Sequence, residues 1–277
     1  MIADYEGDIT KLFEGNEDGE LPLLATRNLV LFPGVVSPVL IGRTSSLNLI
    51  NYLKETPEQA FAVFCQKNAD EDNPSKKEQL YEYGVHAKII RVLEMPGQNG
   101  NVTVILQGLG RCRLTEVKGT FPFLKGMVEV APEKIPDEKD KEFTTAIEDL
   151  RNLTIDYVKK NDDIPDEAQF ALQNINNAVI LLNFVCTSLP FDVAEKVKLL
   201  KANTLKDRLF KLLKIIHREM QLLEIKHDIR TKTREDIDEQ QREYFLQQQI
   251  KNIKEELGNG ESYPERKELL EAAKKKK

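Results

Sequence analysis

Residues 83–114 read YGVHAKIIRVLEM, then PGQNG, then NVTVILQGLGRCRL. Two runs rich in β-branched and aliphatic residues bracket a loop of about five residues, where proline and glycine interrupt any regular element. The pattern predicts a β-hairpin, and its surroundings extend it into a sheet. Upstream, residues 29–42 (LVLFPGVVSPVLIG) read as a strand, a turn and a second strand. Pro33 and Gly34 suit the two central positions of a type II turn, since proline presets the first φ and glycine tolerates the positive second one. Residues 45–55 form a short helix with Leu47, Ile50 and Leu53 on one side. AFAVFCQ (60–66) is a buried strand, and FLKGMVEVAP (123–132) is a last strand with Val128 and Val130 on one face. Several short strands with one early helix predict a barrel-like β-rich subdomain over 21–132.

Past the proline- and charge-rich segment 131–143 the hydrophobic period becomes helical. Ala146, Leu150, Leu153, Tyr157 and Val158 form one stripe. Residues 165–189 read as a second, more buried helix, and 191–202 as a third, opened by Asp192 and Glu195 in a capping-box pattern. A helical subdomain is therefore expected over 133–203. Thr204 and Asp207 open another helix, and no Gly or Pro occurs between Phe191 and Leu257. One helix over 204–258 would be on the order of 80 Å long at 1.5 Å per residue. Its first half carries the stripe Leu205, Leu209, Leu212, Ile216, Met220 and Leu223. Its middle is charged nearly all round, with Ile229 and Ile237 as exceptions. Apolar residues resume at Tyr244, Phe245, Leu246, Ile250, Ile253 and Leu257, before Gly258 at a C-cap position. The fold class is α+β, with a helical bundle continuing into a solvent-bridging strut between two packed ends. Tyr244, Phe245, Leu246 and Ile250 are its packing or coupling residues. Residues 259–277 begin a further segment.

Charge is unevenly placed. Residues 1–20 carry seven acids and one lysine, so the net charge of −6 belongs to an acidic tail expected to be disordered, and the remainder is neutral. A neutral body argues against strong nonspecific nucleic-acid binding. Cys65, Cys112 and Cys186 are widely spaced and fit free thiols in a reducing compartment. No run spans a bilayer and no targeting signal opens the chain, so a cytoplasmic protein with no membrane partner is expected.

Catalytic patterns are missing. His86, His217 and His227 form no metal-ligand spacing, and no phosphate-cradling loop, dinucleotide fingerprint or nucleophile elbow is present. No catalytic, cofactor-binding or metal-binding residue is assigned. Lys211, Lys214 and Arg218 share a helical face, for which solvation is the default and weak DNA contact the alternative. Phe121 and Phe123, around Pro122, either plug the end of the sheet or form an apolar rim.

Two separated segments carry a resemblance. LPLLATRNLVLFPGVVSPVLIGR (21–43) resembles the opening strand, Phe-Pro turn and Pro-x-x-x-Gly-Arg strand of the N-terminal region of Lon-family ATP-dependent proteases. REYFLQQQIKNIKEELG (242–258) resembles the signature that precedes that family's ATPase module, and 189–216 is also similar. The resemblance implies a homohexameric serine protease driven by ATP and magnesium, with the motor and Ser-Lys dyad outside this chain. It implies that these residues engage unfolded or damaged proteins and support assembly. Phe32, Pro33, Phe121 and Phe123 are the candidate substrate contacts. A stand-alone adaptor or nucleic-acid-binding regulator is the alternative.

Overall fold

A computed structural model describes residues 17–94, 100–137, 140–161, 164, 167–259, 271–272 and 275. Its strands are β1 (Gly19–Thr26), β2 (Val36–Ile41), β3 (Phe61–Cys65), β4 (Tyr83–Glu94), β5 (Val102–Gly119) and β6 (Lys125–Val130). Helix α1 (Thr44–Glu55) lies between β2 and β3. After the sheet come α2 (Lys141–Lys160), α3 (Glu167–Asn174), α4 (Ala178–Ser188), α5 (Val193–Leu200) and α6 (Leu205–Asn259).

The expected hairpin is present. β4 and β5 pair antiparallel from Tyr83 against Arg113 to Glu94 against Val102; residues 95–99 of its loop lie outside the described residues. β5 runs on past the expected end and uses its other edge twice, for β2 along its first third and for β6 along its last. β6 pairs with β1, β1 runs parallel to β3, and β3 pairs with β4. Strands β5, β4, β3, β1 and β6 therefore close into a ring, and β2 extends β5 with one edge unpaired among the described residues. Leu23, Phe64, Leu80, Cys112, Leu114 and Val128 fill the interior.

Two readings at the start of the sheet are corrected. The first strand is Gly19–Thr26, taking in two residues assigned to the acidic tail, and 29–32 is not a strand. Every residue of 19–26 has a ladder partner, residues 19–22 from β6 and 23–26 from β3. Val30, Leu31 and Phe32 are instead buried without a ladder as the chain crosses to the turn. Residues 1–16 lie outside the described residues. The turn itself is as expected, with Gly34 at φ 78° and the Val35 N–H donating to the Phe32 carbonyl at 3.2 Å.

The helical part also differs in detail. Asp140 caps α2 by accepting from the Phe143 N–H at 3.1 Å. The buried face of α2 adds Phe143, Ile147 and Thr154 to the expected stripe, while Leu153 is half-buried. The second helix is two, α3 and α4. Asn177 Oδ1 accepts from the N–H groups of Val179 and Ile180 at 3.0 and 3.1 Å, so its side chain starts a new helix where periodicity alone ran on. The capping box at Asp192 does not form, because Glu195 is held by Arg218 through two 2.8 Å contacts. At the start of α6, Thr204 Oγ1 accepts from the Asp207 N–H at 3.0 Å, and Asp207 pairs with Lys211 instead of closing a box.

The chain divides into two compact units, Met1–Glu219 and Met220–Lys277, and the division falls within α6. Inside the first unit a buried polar hub joins sheet to helices. The Arg208 side chain on α6 is 0% exposed and pairs with Glu133, itself 1% exposed. Arg208 also donates to Asn183 Oδ1 at 2.7 Å and to the Leu199 carbonyl at 3.0 Å, with its guanidinium 5.4 Å from the Phe32 ring centroid. Arg111 on β5 lies 3.6 Å from Glu133 and donates to the carbonyls of Leu200, Ala202, Ala131 and Pro132. Asn183 Nδ2 donates to the Pro33 carbonyl at 3.0 Å. Two guanidiniums share one carboxylate, and backbone carbonyls and the Asn183 side chain accept from their other N–H groups. Buried charge is tolerable only when satisfied in this way.

In the second unit α6 is exposed at every residue from 224 to 256. That agrees with a solvated middle, and within this chain it leaves the apolar residues of the far end exposed. Tyr244, Phe245, Leu246 and Ile250 are 65%, 60%, 48% and 53% exposed. A lone helix stripe has no opposing face to bury against.

Candidate functional site

Of the four candidate contact residues, three are interior. Phe32 is 0% exposed beneath Arg208, and Pro33 is buried beside Asn183. Phe123 is 4% exposed, its ring centroid 5.0 Å from that of Tyr52 on α1. As an exposed apolar surface these residues are corrected, because each completes a core. Phe121, two residues from Phe123 in the β5–β6 loop, is 89% exposed. The choice between plug and rim is thus split between the two rings.

Phe121 stands at the mouth of a depression of about 260 Å³ floored by Leu23, Ala25 and Leu124. A second depression, of about 510 Å³, runs along β2 past Pro38, Val39, Leu40 and Ile41, with Leu29 opposite. Ala25, Arg43 and Ser46 line both, so the two adjoin across Arg43. Leu40, 63% exposed, lines the second. The result is a groove made of two adjoining depressions, with Phe121 lining the first, Leu40 lining the second and β2 along one wall.

Its centre is fixed. The Arg43 guanidinium donates to the Ala25 carbonyl at 3.0 Å, to Gln66 Oε1 at 2.5 Å and to the Asp72 carbonyl at 3.0 Å. Burial, then neighbouring Arg27, lowers its pKa, while Asp72 opposes the shift. Arg27 in turn pairs with Asp72 at 2.5 Å. With its donors engaged on two backbone carbonyls and Gln66, Arg43 acts as a saddle between the two depressions. Among the described residues neither depression is lined by a histidine or a cysteine, the groups most used for nucleophile and base. The groove's lining mixes apolar side chains with polar and charged ones, Arg27, Arg43 and Asp72 among them.

The other titratable candidates are structural. His86 is 1% exposed, and burial lowers its pKa. All three cysteines are free and buried, and burial pushes the Cys186 thiol up to about 12. No cluster suited to a metal ion occurs among the described residues. On the basic face of α6, Lys211 pairs with Asp207 at 2.7 Å and Arg218 with Glu195 at 2.8 Å.

Residues 20–218, the sheet and helices just described, match the family model of the ATP-dependent protease La (LON) substrate-binding domain. The chain belongs to the Lon family. A Lon protease of Parabacteroides distasonis is 44% identical over 275 residues, covering 99% of this chain and 33% of that protein. One of Flavobacterium johnsoniae is 43% identical over 257 residues, covering 93% and 31%. The chain thus spans about a third of the length of the curated Lon relatives it matches. Its fold is that of the N-terminal domain of the Mycobacterium avium complex Lon protease, with a TM-score of 0.53 at 19% identity over 72% of this chain and 98% of that one. No helix among the described residues is long and apolar enough to cross a membrane.

Within this Lon domain, Pro38, Gly42 and Arg43, which carry the resemblance in the sequence, all line the groove. Leu40 was missed although its signal was present. Val39 and Ile41 face inward on β2, so period-two alternation turns Leu40 outward. Arg111, Glu133, Asn183 and Arg208 had no local signal, because the hub assembles from four distant segments.

Proposed function

We propose that this chain is the client-engaging part of an ATP-dependent Lon protease, and that unfolded or damaged polypeptides bind in the groove between Phe121 and Leu40. The observation that carries this reading is a pair of adjoining depressions of mixed apolar and polar lining, each carrying an exposed large apolar side chain, inside a substrate-binding domain. Clients differ in sequence, so the recogniser must read what unfolding exposes, namely apolar side chains and free backbone. Phe121 and Leu40 supply the first, and the open edge of β2 lies beside the second. Pro38 in that edge limits pairing to short stretches, which suits weak capture of many sequences. ATP hydrolysis with magnesium and peptide-bond cleavage are assigned to other parts of the parent protein. The exposed residues Tyr244, Phe245, Leu246 and Ile250 are assigned to packing or coupling in its homohexamer.

The test is titration of this chain with a fluorescent protein kept unfolded by reduction and alkylation, and with its native form. Saturable binding of the unfolded form alone is expected. Equal binding of both forms, or of neither, contradicts the reading.

A further inference from the structure

A third depression in the first unit has a different chemistry from the groove. Between α5 and the start of α6 lies a cleft of about 560 Å³ with an apolar floor of Leu199, Ala202 and Ile215. Its walls carry Lys198, Lys201, Lys211 and Lys214 against two carboxylates, Glu195 and Asp207. Both carboxylates are already engaged. Arg218 grips Glu195 through two 2.8 Å contacts and holds that carboxyl below its ordinary pKa, and Lys211 lies 2.7 Å from Asp207. Among the described residues Lys198, Lys201 and Lys214 have no carboxylate within ion-pair distance. Lys201 sits 5.7 Å from the Tyr83 ring centroid, and Lys198 and Lys214 are exposed. A neutral protein body therefore concentrates uncompensated positive charge in one concavity.

We propose that this cleft is a second client-binding site, selective for acidic polypeptide segments in which carboxylates flank apolar residues. The proposal rests on the client-engaging reading above and adds a substrate preference to it. The floor takes an apolar side chain, while ammonium groups on both walls pair with carboxylates on either side. A nucleic acid fits less well. No aromatic ring lines the cleft to stack a base, and the nearby guanidinium of Arg218 is spent on Glu195 rather than presented as a fork for phosphate. Lysines are point charges on flexible stems, so they accept carboxylates in variable register, as a recogniser of many clients requires.

The experiment uses the 277-residue chain and two fluorescein-labelled peptides, one alternating glutamate with leucine and one alternating serine with leucine, together with a single-stranded oligonucleotide. For the wild type, the acidic peptide is expected to bind more tightly than the neutral one and to weaken as salt is raised. In the variant carrying Lys198→Glu and Lys214→Glu its affinity is expected to fall about tenfold, the scale of two exposed charge pairs. Binding of the neutral peptide and of the unfolded protein stays unchanged. Lys198→Gln with Lys214→Gln, which adds no repulsion, gives a smaller loss in the same direction. Retained acidic-peptide affinity in both variants, with the unfolded protein still bound, overturns the cleft assignment and leaves the groove standing. Loss of binding to every probe, or tighter binding of the oligonucleotide than of the acidic peptide, overturns it as well.

Discussion

Phe32-Pro33 and Phe121-Pro122 are the same dipeptide in two loops of one barrel, yet the first ring is 0% exposed and the second 89%. The difference lies in what surrounds each loop. The turn after Phe32 is pinned to β5 on both sides, with the Gly34 N–H donating to the Gly108 carbonyl and the Gly108 N–H to the Val35 carbonyl, each at 2.9 Å. Arg208 then covers the ring and Asn183 caps the Pro33 carbonyl. The other loop is tied on the Pro122 side, where Asn48 Nδ2 donates to the Pro122 carbonyl at 3.1 Å, and there Phe123 takes the interior position beside Tyr52. Phe121 is left outside. A Phe-Pro pair is therefore a fold determinant where distant helices close over it and a contact surface where they do not.

Substitutions sharpen this contrast in graded steps. The largest loss of stability is expected for Glu133→Ala, about 4 kcal/mol, because it leaves two buried guanidiniums without their shared carboxylate; urea unfolding measures it. Phe32→Ala should cost about 3 kcal/mol through the cavity under Arg208, read the same way. Gly108→Ala comes next, at about 2 kcal/mol, since a Cβ there would stand 2.3 Å from the Phe32 carbonyl oxygen, a backbone atom that cannot swing aside. Phe121→Ala should change stability by no more than about 0.5 kcal/mol, as expected of an exposed side chain without partners to lose. A Phe121 variant as unstable as the Phe32 variant would erase the distinction between the loops.

The sequence carried the pattern-borne parts of this molecule. Runs of β-branched and aliphatic residues marked β3, β4 and β5, Pro33-Gly34 marked its turn, and the stripe of Leu205, Leu209, Leu212 and Ile216 marked the buried start of α6, all four at 0% exposure. What it could not carry was closure. Which of two identical dipeptides is buried depends on Arg208 and Asn183, more than 140 residues along from Phe32 in the chain. Likewise, Glu133 lies in a charge-rich segment that reads as a solvated linker, and only the approach of Arg111 and Arg208 makes it a buried counterion. Asn177 splits a helix because its side chain competes with the backbone, a local signal that hydrophobic periodicity overrode. The groove follows the same division. Pro38, Gly42 and Arg43 were visible as a motif, but their meeting with Phe121 across Ala25 needed the closed sheet.

The central claim is that clients are read by the exposed apolar side chains of the groove and not by the buried Phe-Pro turn. Its most direct test is titration of a labelled, permanently unfolded protein against the wild type, the double variant Phe121→Ser with Leu40→Ser, and Phe32→Leu, each checked for cooperative unfolding. The account predicts about a tenfold rise in Kd for the double variant, the scale of losing part of two apolar contacts, and an unchanged Kd for folded Phe32→Leu. An unchanged Kd in a folded double variant, or a Kd that rises with Phe32→Leu alone, would contradict it.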